Sequence, residues 1–206
     1  MTTLTEIRAR VRADLHDEDP ADYRWDSAEL DRHISHALRE MSLAVPLEAK
    51  VTLDAVPGSR DVSLSSLTDR VLVDSVEYPA GQSPPEFTDF RVWGDTLTLL
   101  AERVPAQDEQ VVVYYGKLHS LDYVASTVPP ALEDVLVTGA SGYAAHSLSG
   151  FTINRLNTGG DSVWRDYMVW GRERMNAFHR ALARYGPGGR IRSRRLRRPP
   201  VAARTA

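Results

Sequence analysis

The stretch Val51-Thr-Leu-Asp-Ala55-Val-Pro-Gly58 decides how the chain is organised, because the apolar spacing changes there. Before it, apolar residues recur every three or four positions. Within it, Val51, Leu53 and Ala55 alternate with Thr52 and Asp54, the period of a half-buried strand. Pro57-Gly58 predicts a type II turn into Asp61-Val-Ser-Leu64. The alternating regime continues through Val71–Tyr78 and then through Phe90–Trp93 and Thr96–Leu100, which flank the Gly94-Asp95 hairpin signal. It closes with Val111–Tyr115, whose apolar run predicts burial on both faces. About six short strands between turn residues describe a small sandwich or barrel.

Helical spacing frames this block on both sides. Leu4, Ile7, Val11 and Leu15 form one stripe, broken at His16–Pro20. Asp26 is placed to cap a second helix, with Glu29 completing a capping-box pattern. That helix buries Leu30, Ile34, Leu38, Met41 and Val45, and Pro46 ends it. Pro129-Pro130 opens a third helix, since amides in the first turn lack partners anyway. Its face is Leu132, Leu136, Gly139, Tyr143 and Leu148. The run Gly139-Ala-Ser-Gly142 with Ala144 and Ala145 is unusually small. Each mid-helix glycine costs about 1 kcal/mol against alanine, so close approach of another backbone is expected to offset it. Gly139, Ala140, Gly142 and Ala145 are therefore candidates for packing against a neighbouring helix or subunit. A loop is expected over 149–160, and Asp161 is placed to cap a last helix with Trp164, Met168, Gly171, Met175, Phe178 and Leu182 inward. Gly186-Pro-Gly-Gly189 ends that helix.

Seven of the 25 basic residues, and none of the 28 acidic ones, lie in residues 186–206. A positively charged arm thus follows an acidic body, a layout suited to docking on phosphates or on an acidic protein surface. Of the basic residues only Lys50 and Lys117 are lysine, and arginine's planar fork favours bidentate contacts. The absence of cysteine removes disulfide and thiolate chemistry. The opening residues lack the layout of a signal peptide, and no apolar run approaches a membrane span. The expected fold class is α+β. A four-helix body (1–48 and 118–185) carries an inserted β-sandwich or barrel-like domain (49–117) and an extended basic C-terminal arm (186–206).

Motifs for chemistry are sparse. His33, His36 and Glu40 share one helix face, but a metal needs further convergent ligands. Gly139-Ala-Ser141-Gly142 lacks the second glycine of a nucleophile elbow. Trp164, Tyr167, Trp170 and Phe178 interleave with Arg165, Arg172, Arg174 and Arg180, a pattern shared by base-stacking surfaces and by helices that bury one aromatic face. No catalytic, cofactor or metal site is read, and an enzyme is not expected.

Taken together, the helical segments resemble the head–tail connector, or adaptor, proteins of tailed bacteriophages. The resemblance lies in Leu4 to Pro46, with Trp25-Asp-Ser-Ala-Glu-Leu30 and Ile34-Ser-His-Ala-Leu38-Arg-Glu40. It continues in Val128-Pro-Pro-Ala-Leu132-Glu-Asp-Val135-Leu136, the small-residue helix and the last long helix, about half of the chain. The β block departs from the smallest, all-helical members. The resemblance implies a virion structural protein at the capsid–tail junction, made in the host cytoplasm. It implies a homo-oligomeric ring, a dodecamer, under the portal protein, with a tail or stopper protein below and viral DNA passing through its channel without sequence-specific binding. The position matching a portal-docking segment holds Arg190, Ile191, Arg192, Arg194, Arg195, Leu196, Arg197 and Arg198. The other readings are a nucleic-acid-binding protein using this arm, and another neck or tail-completion component.

Overall fold

Thr3 starts the chain's first helix with two reciprocal hydrogen bonds. Its hydroxyl accepts from the Glu6 amide (3.4 Å), and the Glu6 carboxylate accepts from the Thr3 amide (2.8 Å). In the computed structural model, which describes residues 2–152 and 163–186, this is α1 (Leu4–Asp14). Helix α2 (Ser27–Ala44) is capped by Asp26, whose carboxylate accepts from the Glu29 amide at 2.6 Å. The expected box is half made there. The Glu29 carboxylate faces Arg32 and His33 instead, at 3.9 and 4.0 Å. Val45 closes the helix one residue before Pro46.

Seven strands follow: β1 (Leu47–Asp54), β2 (Asp61–Ser63), β3 (Arg70–Glu77), β4 (Phe87–Thr88), β5 (Phe90–Trp93), β6 (Thr96–Leu99) and β7 (Gln110–Lys117). They form two antiparallel sheets, ordered β1-β7-β3-β4 and β2-β6-β5. Both sheets contribute to one buried cluster that includes Val62, Val76, Leu97, Leu99, Val111 and Val113. The two sheets face each other as a sandwich, and no closed barrel forms among the described residues. Alternation along β1 is strict, odd-numbered residues half-buried and even-numbered ones exposed. Strand β7 corrects the sequence expectation. Val111, Val113 and Tyr115 are buried, but Val112 and Tyr114 are only half-covered. That second face is polar: the Tyr114 hydroxyl donates to Glu77 at 3.1 Å. The short β4, absent from the sequence reading, is followed after one residue by β5, so a single run of chain changes sheets at Asp89.

Helix α3 (Pro130–Thr152) runs through Ser149, where a loop was expected, and α4 (Val163–Tyr185) packs along it. The rest of that loop and Asp161 lie outside the described residues. A second core lies among the four helices, with Ile7, Trp25, Leu30, Ile34, Met41, Leu136 and Phe178 essentially inaccessible. Full burial of each such side chain contributes about 1.5–3 kcal/mol.

Three glycines set the spacing between α3 and α4. A Cβ on Gly139 would lie 2.8 Å from the Phe178 ring, and one on Gly142 3.0 Å from the Met175 amide nitrogen. From the other side, a Cβ on Gly171 would lie 2.9 Å from the His146 amide nitrogen and 3.0 Å from the Gly142 carbonyl oxygen. Gly139, Ala140, Gly142 and Ala145 are all buried here. The close approach is therefore made within the chain, between α3 and α4.

Gly171→Ala is expected to lower unfolding stability by about 1–3 kcal/mol through overpacking, despite alanine's better helix propensity. Gly150, also in α3 but with open space where a Cβ would go, is expected to respond oppositely, Gly150→Ala raising stability by up to about 1 kcal/mol. Urea denaturation of the two variants checks both signs.

Candidate docking surfaces

The motifs singled out in the helical body have definite places among the described residues. Ser141 is fully buried in α3. Its hydroxyl lies 3.3 Å from Asp14 and 3.2 Å from the Thr138 carbonyl, and the Arg174 Nε–H donates to it at 3.4 Å. Asp14 also pairs with Arg174. Ser141 thus joins α1, α3 and α4 as a structural link.

The face carrying His33, His36 and Glu40 does not converge on one point. His33 turns inward, 8% exposed, and its Nε2 has no hydrogen-bond partner among the described residues. Burial above all, then the charge of Arg32 and the neighbouring His36, lowers its pKa from 6.5 to about 4. His36 and Glu40 stay near the surface, 3.5 Å apart. Tyr143, expected only on the apolar face of its helix, and His179 join them: the Tyr143 hydroxyl donates to Glu40 at 2.5 Å, and His179 lies 3.3 Å from the same oxygen. Burial, and then the bond to Glu40, raises the Tyr143 pKa. Among the described residues no group of three or more metal-ligating side chains is placed to hold an ion.

The aromatic–arginine series of α4 divides. Phe178 is in the core, whereas Tyr167 and Trp170 are half-buried and line a cleft of about 690 Å³ with Trp25 and the segment joining α1 to α2. That segment is held by a buried ion pair. Arg12 and Asp17, each 6% exposed, meet at 2.5 Å. Arg12 also donates to the Trp25 carbonyl at 3.0 Å and lies 3.5 Å from the centre of the Tyr23 ring. The other Asp17 oxygen accepts from the Arg24 amide at 2.7 Å. Guanidinium groups lie over both aromatic rings that α4 brings to the cleft, Arg24 over Tyr167 at 5.4 Å and Arg174 over Trp170 at 5.2 Å. Asp19, Asp22 and Asp166 complete the rim. The arm segment Arg190, Ile191, Arg192, Arg194, Arg195, Leu196, Arg197 and Arg198 lies outside the described residues.

No protein-family model matches the chain, and no curated protein matches it. Among solved structures it is similar to a chain from the neck of an empty GTA particle, computed with C6 symmetry. The two share 13% identity over 82% of this chain and 88% of that one, with a TM-score of 0.31. A superposition this loose decides neither fold nor role. No helix among the described residues is long and apolar enough to cross a membrane.

His33 gives a pH test. Its folded-state pKa is depressed, so between about pH 6.5 and 4 the unfolded chain binds a proton that the folded one refuses. Stability therefore falls as pH drops through that window, by up to about 3 kcal/mol from this group. His33→Gln is expected to flatten that part of the pH–stability curve, measured by urea denaturation at pH 4.5, 5.5 and 7.

Proposed function

We propose that this chain is a virion structural subunit of the head–tail neck, an adaptor that forms a ring under the portal protein, with no catalytic role. In this reading residues 1–48 and 118–185 are the adaptor body, 49–117 an inserted domain and 186–206 the fastening arm. The observation that carries it is the order of the helical elements. A short α1, an Asp26-capped α2 stopped at Pro46, a proline-opened α3 and a closely packed α4 share one core, and an arginine-only arm follows. These are the segments on which the likeness to phage adaptors rests.

The physical chemistry supports such a role. Closed rings use head-to-tail contacts between different faces of one subunit. An arm that binds weakly alone holds firmly when many copies engage one assembly, because the first contact raises the effective concentration of the others. An acidic body suits a channel through which DNA slides, since a basic lining would retain phosphates. Arg190 to Arg198 would pair with portal carboxylates, with Ile191 and Leu196 filling apolar pockets. A tail or stopper protein would seat on the opposite face.

Deleting residues 187–206 is expected to leave a folded protein with unchanged circular dichroism that no longer joins portal-containing heads. Sedimentation of heads mixed with the truncated chain measures this, and normal joining by the truncated chain would sink the assignment of the arm. The nucleic-acid reading predicts instead DNA affinity that falls steeply with salt; fluorescence anisotropy at low and high salt distinguishes the two.

A further inference from the structure

Five aspartates, Asp14, Asp17, Asp19, Asp22 and Asp166, line the cleft beside Trp25. Two of its acids are already engaged, Asp14 with Arg174 and Asp17 with Arg12. Asp22 and Asp166 have no ion pair among the described residues, and the Asp19 carboxylate accepts only from the Ala21 amide. Tyr167 and Trp170 already carry arginine side chains over their rings, so this wall suits a planar cation. Trp25, a third wall residue, is 1% exposed, and its indole Nε1–H has no acceptor among the described residues.

We infer that this cleft holds one or two arginines from the Arg190–Arg198 segment of a second copy of the chain. Charge complementarity selects the segment: it supplies arginine in place of lysine and carries no acid. Geometry selects the second copy. A side chain on Gly186, where the described residues end, would meet the Ala44 carbonyl at the C-terminal end of α2. Trp25 precedes the N-terminal end of that helix. From Tyr167 to Tyr185, α4 spans about 27 Å at about 1.5 Å per residue. To reach its own cleft the arm would have to double back beside α4, whose exposed residues include Arg165, Arg172, Arg180 and Arg184 against Asp166 and Glu173. A neighbouring copy offers a path without that repulsion. The twelve residues after Gly186, up to Arg198, reach about 40 Å when extended, at about 3.3 Å each, enough for a crossing between subunits. The cleft is too small for the whole arm, so the remaining arginines stay available to another partner. The contact does not depend on the neck assignment and forms between free copies in solution.

The lack of native cysteine makes a direct test possible. Full-length Asp22→Cys protein is mixed with full-length Arg195→Cys protein under mild oxidation, with Ser66→Cys, on the β block, in place of Asp22→Cys as control. Non-reducing electrophoresis follows the mixed disulfide, and circular dichroism checks folding of each variant. The Asp22→Cys mixture is expected to cross-link about tenfold faster than the control, as tethering raises effective concentration. One molar salt, with a Debye length of about 3 Å, is expected to remove the difference. Rates equal to the control would overturn the inference. So would a disulfide that forms only within single chains carrying Asp22→Cys and Arg195→Cys together. Head-joining assays are read separately, so failure here leaves the neck reading standing, and the reverse.

Discussion

His119 holds together the two places where the β block leaves the helices and returns to them. Its backbone amide donates to the Ser42 hydroxyl at 3.0 Å, and its Nε2 lies 3.0 Å from the Val45 carbonyl. Its Nδ1 sits 2.9 Å from the Thr127 carbonyl and 3.2 Å from the Thr127 hydroxyl. Nearby, a Cβ on Gly116 would lie 2.7 Å from the Pro46 side chain. The β1–β7 pairing begins there, Leu47 opposite Lys117. Because exit and return coincide, α2 and α3 pack as though the intervening strands were a short connection, and each core is filled by its own residues.

Much of this was legible in residue order. The change of period at Val51, the stop at Pro46, the opening at Pro130, the Asp26 cap and the hairpin at Gly94 are local signals, and each appears where its chemistry places it. The small residues of α3 announced a close approach but not its partner, because Gly171 lies far along the chain and matches no local motif. Strand β4 escaped because two residues have no period. The second face of β7 was misjudged because Val112 and Tyr114 share the hydropathy of buried residues, while the Glu77 beside them belongs to another strand.

The cleft was the least legible feature. His16–Pro20 read only as a break after the first helix, and Tyr167 and Trp170 as part of an aromatic–arginine pattern open to two meanings. Only the fold brings them together, through the buried Arg12–Asp17 pair that pins the turn and the α3–α4 contact that places the start of α4 beside it. An ion pair of this kind contributes little net stability, because desolvation offsets attraction. Its effect is to give the loop one shape, which leaves Asp19 and Asp22 facing solvent. The same separation explains the electrostatics of the chain. The acids of the turn are held on the body, while seven arginines and no acid follow Gly186.

The strand that changes sheets makes the two edges of the sandwich unlike. Along one edge β4 and β5 are separated by Asp89 alone, and the Leu100 amide donates to the Asp89 carbonyl at 2.8 Å. Along the other, β1 and β2 are joined by residues 55–60, a longer link containing Gly58 at φ +78°. The sandwich is therefore joined like a book whose spine is a single residue, while the opposite margin is a longer strap sewn down through Ala55 to Glu109, Gly58 to Pro105 and Leu99 to Arg60.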